Sequence, residues 1–177
     1  MSIISTVAPE HTEGKVAELY GQIQQMMGRV PNAFQMYSSS PALLEQQIQH
    51  ISYFMQHPTL SFPLLAMVRM LVSQNNDCQY CIGLNEGMLI QRVGLTVEQV
   101  AAIRRDPANA PLPDKDKAML LLVLKATKTP KSVDKSDLDQ LRALGWSDGD
   151  IMDAVYHGAR NVAVDIVFNA FKIDNDF

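Results

Sequence analysis

The chain has 177 residues, 47% of them hydrophobic, and 15 Lys and Arg against 19 Asp and Glu give a formal net charge of -4. That length and apolar fraction suit one globular domain with its own core, and a weakly acidic balance with no basic stripe argues against nucleic acid as a partner. MSIISTVAPEHTEG lacks a basic start followed by a long apolar run, and no later stretch reaches the roughly eighteen apolar residues of a membrane span, so a cytoplasmic protein with no membrane partner is expected.

Helical periodicity runs almost throughout. Val16, Leu19, Tyr20, Ile23 and Met26 or Met27 predict an amphipathic helix over 13–27. After GRVPNAFQMYSSSP interrupts the pattern, Leu44, Ile48, Ile51 and Met55 predict a second helix over 41–56. HPTLSFP breaks that one, and Pro63 suits the first turn of a third, over 64–73. Leu64, Leu65, Met67, Val68, Leu71 and Val72 cover so much of its circumference that it should lie centrally. Asn75, Asn76 and Asp77 are cap or turn residues, so Cys78 opens a fourth helix that runs to Arg92 and stops at Gly94.

Thr96 and Gln99 form a capping-box pattern for a short helix to Arg104, followed by the proline-rich connector DPANAPLPD. Helices are expected over 118–126 and over 137–144, the latter ended by Gly145. Ser147 with Asp150 opens the longest helix, to about Phe171, with Ile151, Val155, Tyr156, Ala159, Val162, Ala163 and Ile166 as its apolar face. No segment alternates with period two over the length of a strand. The expected fold is all-α, a single domain over 1–177 with seven or eight helices. Met26, Met27, Met67 and Met70 read as core or subunit-contact residues.

The chain's two cysteines, Cys78 and Cys81, stand two residues apart in NNDCQYCIGLNEG. Structural zinc draws on four ligands, and with no further cysteine and no paired spacing among His11, His50, His57 and His157, no metal and no cofactor is expected. A second reading makes both thiols small buried hydrophobes. The leading reading is dithiol redox chemistry, because the first turn of a helix favours a thiolate through its free amides and its dipole.

CQYC, with Tyr80 between the cysteines, resembles the carboxymuconolactone decarboxylase family on its alkylhydroperoxidase D-like, peroxidase-related side, as do VPNAFQMYSSSPALLE and NVAVDIVFNAFKID. The signature there is Glu, eleven residues, Cys-x-Tyr-Cys, three residues and His. Here Ala66 stands at the Glu position and Asn85 at the His position, so both ends of the family's proton relay are replaced. The resemblance implies an alkylhydroperoxidase D-like thiol oxidoreductase in which Cys81 is oxidised by a small peroxide or disulfide and Cys78 resolves it. A thiol or dithiol would supply the electrons, and the assembly would be a homo-oligomer built from trimers. The candidate catalytic residues are Cys78, Cys81, Tyr80 and Asn85.

An ordinary thiol is roughly 3% ionised at pH 7, so losing the base alone costs at most about thirtyfold in nucleophile. Losing the acid that protonates the leaving alkoxide costs on the order of 10²–10⁴, which leaves weak peroxidase activity as the expectation. Glu45, His50, His57 and Asp165 are the nearest substitutes in kind, read first as exposed helix residues or, for His57, a cap. Glu86 is read as solvated, and Arg69 as pairing with an acid rather than lowering a thiol pKa. Two other readings stay open: a decarboxylase or lactone-type enzyme of the same family, and a non-catalytic oligomeric protein that keeps the fold.

Overall fold

The computed structural model describes residues 2–177, and among these there are helices and no strands. In chain order the α-helices are α1 (Gly14–Met27), α2 (Asn32–Gln35), α3 (Pro41–Met55), α4 (Phe62–Asn75), α5 (Gln79–Met88), α6 (Val97–Arg105), α7 (Asp114–Lys128), α8 (Lys135–Ala143) and α9 (Asp148–Phe171). The all-α expectation holds. The additional helix is α2, a single turn inside the segment that breaks the first apolar pattern. Beyond Met88 the chain continues as a π-helical turn, Leu89–Val93, before Gly94 closes it in the left-handed region that glycine tolerates. No helix of the described residues is long and apolar enough to cross a membrane.

The described chain falls into two compact units, residues 2–57 with 167–177, and residues 58–166. In the first, Leu19, Tyr20 and Ile23 of α1 meet Leu44 and Ile48 of α3 together with Val30 and Phe34, and Met26 and Met27 pack on the edge of that core. Tyr20 satisfies its buried phenol by donating to the Val7 carbonyl at 2.9 Å. The C-terminal tail is held by Asp176, whose Oδ2 accepts from Arg29 Nη1 at 2.9 Å and from the Asn32 amide at 2.8 Å.

The second unit is built around α4, which buries Leu64, Leu65, Ala66, Met67, Val68, Met70, Leu71, Val72 and Ser73 and packs on α5 and α7. Its central position follows from its all-round apolar sequence, as expected. Ser61 caps it by accepting the Leu64 amide. Helix α9 runs close to α7 and α4 at Gly158, where a side chain would overlap Val123 and stand 3.1 Å from Thr127 Cγ2 and 3.6 Å from Val68 Cγ1. The starts of α6 and α8 are fixed by capping boxes, Thr96 with Gln99 and Asp134 with Asp137. Trp146 is buried beside α7 and donates from Nε1 to the Lys115 carbonyl at 2.9 Å.

The apolar face expected for α9 is corrected. Of that face Ile151 is buried, Val155 and Val162 are half-buried, and Tyr156, Ala159, Ala163 and Ile166 are exposed, whereas Ala154, His157, Gly158, Asn161 and Asp165, which lie outside it, are buried. A helical period identifies a stripe of like residues; it does not say whether the stripe meets the chain's own core.

A buried dithiol with a carboxylate

The turn between α4 and α5 sets the position of the first thiol. Asp77 adopts φ 53, a left-handed conformation that Asp tolerates better than most residues. Around it the Cys78 amide donates to the Ser73 carbonyl at 3.0 Å and the Asp77 amide to that of Gln74 at 3.4 Å, a Schellman closure of α4. Cys78 is thereby both the end of that closure and the residue preceding α5, and Cys81 lies one turn on. Both are free thiols and both are buried, Cys78 at 0% exposure and Cys81 at 5%.

The third member of the cluster comes from α9. Asp165, at 0% exposure, places a carboxylate oxygen with the two sulfurs so that all three atoms lie within 4.8 Å of one another. Its oxygens are fixed from several sides: Ser73 Oγ donates to Oδ1 at 2.8 Å and Asn76 Nδ2 to Oδ2 at 3.0 Å. Asn161 Nδ2 lies 3.2 Å from Oδ2 and donates to Ser73 Oγ at 2.8 Å. Burial pushes the Asp165 carboxyl up, and hydrogen bonds from Ser73, Asn76 and both thiols oppose that shift. The Cys81 thiol is pushed strongly up, first by its hydrogen bond with Cys78, then by burial and by the charges of Cys78 and Asp165. The Cys81 thiol, one turn into the helix, is therefore not the ready thiolate that the dipole alone suggests.

A cation stands on the α4 side. Arg69 is half-buried, and its partners replace the acid expected for it. Nε donates to Asn85 Oδ1 at 2.8 Å, Nη1 lies 3.3 Å from His157 Nε2, and Nη2 lies 3.9 Å from Met88 Sδ. Because a guanidinium only donates, His157 meets it with an unprotonated nitrogen. Burial lowers the Arg69 pKa to about 10, while attraction to the Cys81 sulfur works in the opposite direction. It stays cationic near neutral pH.

The residues at the two altered signature positions are both buried. Ala66 is at 0% exposure inside α4. Asn85 donates from Nδ2 to the Cys81 carbonyl at 2.7 Å and accepts from Arg69, so its amide ties α5 to the guanidinium. Tyr80 is buried on α5 at 2% exposure. Among the substitutes considered from sequence, Asp165 joins the thiols, and its expected exposure is corrected to full burial. Glu45 pairs with Lys15 at 3.0 Å, the His50 and His57 rings pack with Phe54, and Glu86 accepts from Arg104 at 2.7 Å instead of standing solvated.

Ser73 and Asn161 complete the site without having been singled out from sequence, together with Asn76, read there only as a cap or turn residue, and His157, read only as a histidine without paired spacing. A usable signal was present: His157, Asn161 and Asp165 recur every fourth residue on α9, so three polar side chains form one stripe.

No protein-family model matches the sequence, and no curated protein does. Among solved structures, the chain is similar to a peroxidase-related protein with an alkylhydroperoxidase AhpD core from Ralstonia eutropha JMP134, with TM-score 0.79 and 18% identity over 99% of this chain and 92% of that one. It is similar also to a peroxidase-related protein from Silicibacter sp. TM1040, with TM-score 0.84 and 20% identity over the same shares. The debrominase Bmp8 superposes with TM-score 0.77 and 15% identity over 98% of this chain and 92% of that one. At these TM-scores and coverages, the chain has the alkylhydroperoxidase D-like fold.

Proposed function

We propose that the protein is a dithiol oxidoreductase that reduces a small peroxide or disulfide, with Asp165 as its proton carrier. The observation that supports this reading is the juxtaposition of two thiols and one carboxylate within 4.8 Å. Cys81 is the attacking sulfur, because it keeps 5% exposure against 0% for Cys78 and its negative charge is the one that interacts with Arg69. Its sulfur takes the distal peroxide oxygen as the O–O bond breaks, and its proton passes through Asp165 to the departing alkoxide. Cys78 then attacks the sulfenic acid, forming the S–S bond and releasing water with the second thiol proton. Two thiols lose two electrons and two protons, the peroxide becomes alcohol and water, and an external thiol or dithiol restores the pair. Asn85 and Arg69 act as positioning groups that hold α5 and favour negative charge at Cys81.

The test is peroxide treatment of the reduced chain, followed by peptide mass spectrometry and measurement of peroxide consumed with a dithiol present. A Cys78–Cys81 disulfide and turnover that is lost in both Cys81→Ser and Cys78→Ser are expected. Unreacted thiols, or single overoxidised ones, would refute the reading.

The protein would act as a homo-oligomer. Met152, Tyr156, Ala159, Ala163 and Ile166 are exposed on α9 at alternating four- and three-residue steps, the spacing of a helix–helix seam. Light scattering should give a mass well above 19.7 kDa that falls in an Ala159→Arg, Ala163→Glu variant. A monomeric parent at micromolar concentration would rule this out.

A further inference from the structure

We infer that Cys78, Cys81 and Asp165 form a binding site for one thiophilic divalent cation, Zn2+ being the ion of that class that suits it. Sequence spacing argues against zinc because the Cys-x-x-Cys pair has no second pair; the fold supplies the third ligand from α9 instead. In a tetrahedral zinc site with Zn–S of 2.3 Å, ligand atoms stand about 3.8 Å apart for two sulfurs and about 3.5 Å for sulfur and oxygen. Three donor atoms already within 4.8 Å of one another need to close by only about an ångström to reach that geometry. Three protein ligands leave the fourth position to water, the arrangement of reactive zinc sites rather than of structural ones.

The surroundings favour an ion as well. A ligating carboxylate is ordinarily held by further hydrogen bonds, and Asp165 has them from Ser73, Asn76 and Asn161. Two thiolates and a carboxylate around a divalent ion leave one net negative charge. Arg69, attracted to the Cys81 sulfur, offsets it. Binding displaces the two thiol protons to solvent, and no oxidant or reductant takes part. Zinc and disulfide then compete for the same two sulfurs, so the ion would protect the dithiol from oxidation.

The experiment uses the reduced, chelator-treated full chain. Zn2+ is titrated by calorimetry, and Co2+ is titrated with sulfur-to-cobalt charge-transfer absorption as the readout. One ion per chain with a dithiolate band is expected. Cys78→Ser, nearly isosteric, should weaken binding about 100-fold or more and diminish the band, and Asp165→Asn should weaken it at least about 10-fold while leaving the band. Absence of binding by the folded reduced parent overturns the inference, as does undiminished binding in folded Cys78→Ser. A chain that binds zinc but forms no disulfide with peroxide would sink the oxidoreductase reading alone, and one that oxidises but binds no zinc would sink this one alone.

Discussion

Replacing Asp165 with Asn separates the two things a buried carboxylate does beside a thiol. The oxygens of Asp165 accept from Ser73 Oγ, Asn76 Nδ2 and Asn161 Nδ2. An amide can keep only one of those oxygens. Turning its NH2 toward Ser73 is the least unfavourable choice, because the Ser73 oxygen can accept a second bond besides that from Asn161, yet the Ser73 hydroxyl proton then loses its acceptor at a loss of about 1–3 kcal/mol. A urea melt followed through Trp146, the single and buried tryptophan, measures that directly. Kinetically, loss of the proton carrier should slow peroxide-driven disulfide formation by about 10²–10⁴ in single-turnover mixing. Alkylation of Cys81 should move the other way and become faster, because the negative group that helps hold its proton has been neutralised. A folded Asp165→Asn protein that reduces peroxide at the parent rate would refute the proton-carrying role; slower alkylation would refute the electrostatic account of Cys81.

Other perturbations test the frame around the site. Gly158→Ala gains about 1 kcal/mol of helix propensity and loses about 1–3 kcal/mol to overlap with Val123, so denaturant melts should show a small net loss; clear stabilisation would mean that α9 has room there. At Asp77, whose φ is 53, Gly should be neutral or better and Val should destabilise by about 1–2 kcal/mol, with equal effects in melts disproving strain at that turn. Asp134 caps α8, and hydrogen bonds from Ser136 and Asp137 hold its carboxyl below the usual range. Its contribution is therefore complete above the unfolded carboxylate pKa and disappears as pH falls through the lower folded value. Melting temperatures of the parent and Asp134→Ala should differ near neutrality and converge in acid; a gap independent of pH would exclude an ionised cap.

Helix positions were largely legible because their signals are local. The Thr96 and Gln99 capping box, Pro63 in the first turn of α4 and Gly94 after the fourth helix all act within a few residues of the chain. Of the site, the thiols were legible and the carboxylate's partnership was not. Asp165 reaches the thiols across 84 residues (165 - 81), and no spacing rule spans that separation. On α9 the apolar stripe drew the eye to Tyr156, Ala159 and Ile166, while the buried face carries His157, Asn161 and Asp165. Polar groups belong inside when other elements supply hydrogen-bond partners, and those partners, Ser73, Asn76 and Arg69, become visible only once α4 is set beside α9. The π turn after Met88 was likewise invisible, since its residues fit an α-helix equally well.

Ser73 touches both halves of the cluster. Its carbonyl accepts the Cys78 amide, and its hydroxyl binds Asp165. Thiol and carboxylate are thus referenced to one residue at the end of the most buried helix. When that helix shifts with temperature or crowding, donor and acceptor travel together. Distances inside the cluster are then insulated from the breathing of the molecule in the way that two instruments bolted to one bench keep their alignment while the floor moves. Loss of the hydroxyl alone, in Ser73→Ala, would leave Cys78 on that bench and cut Asp165 loose from it.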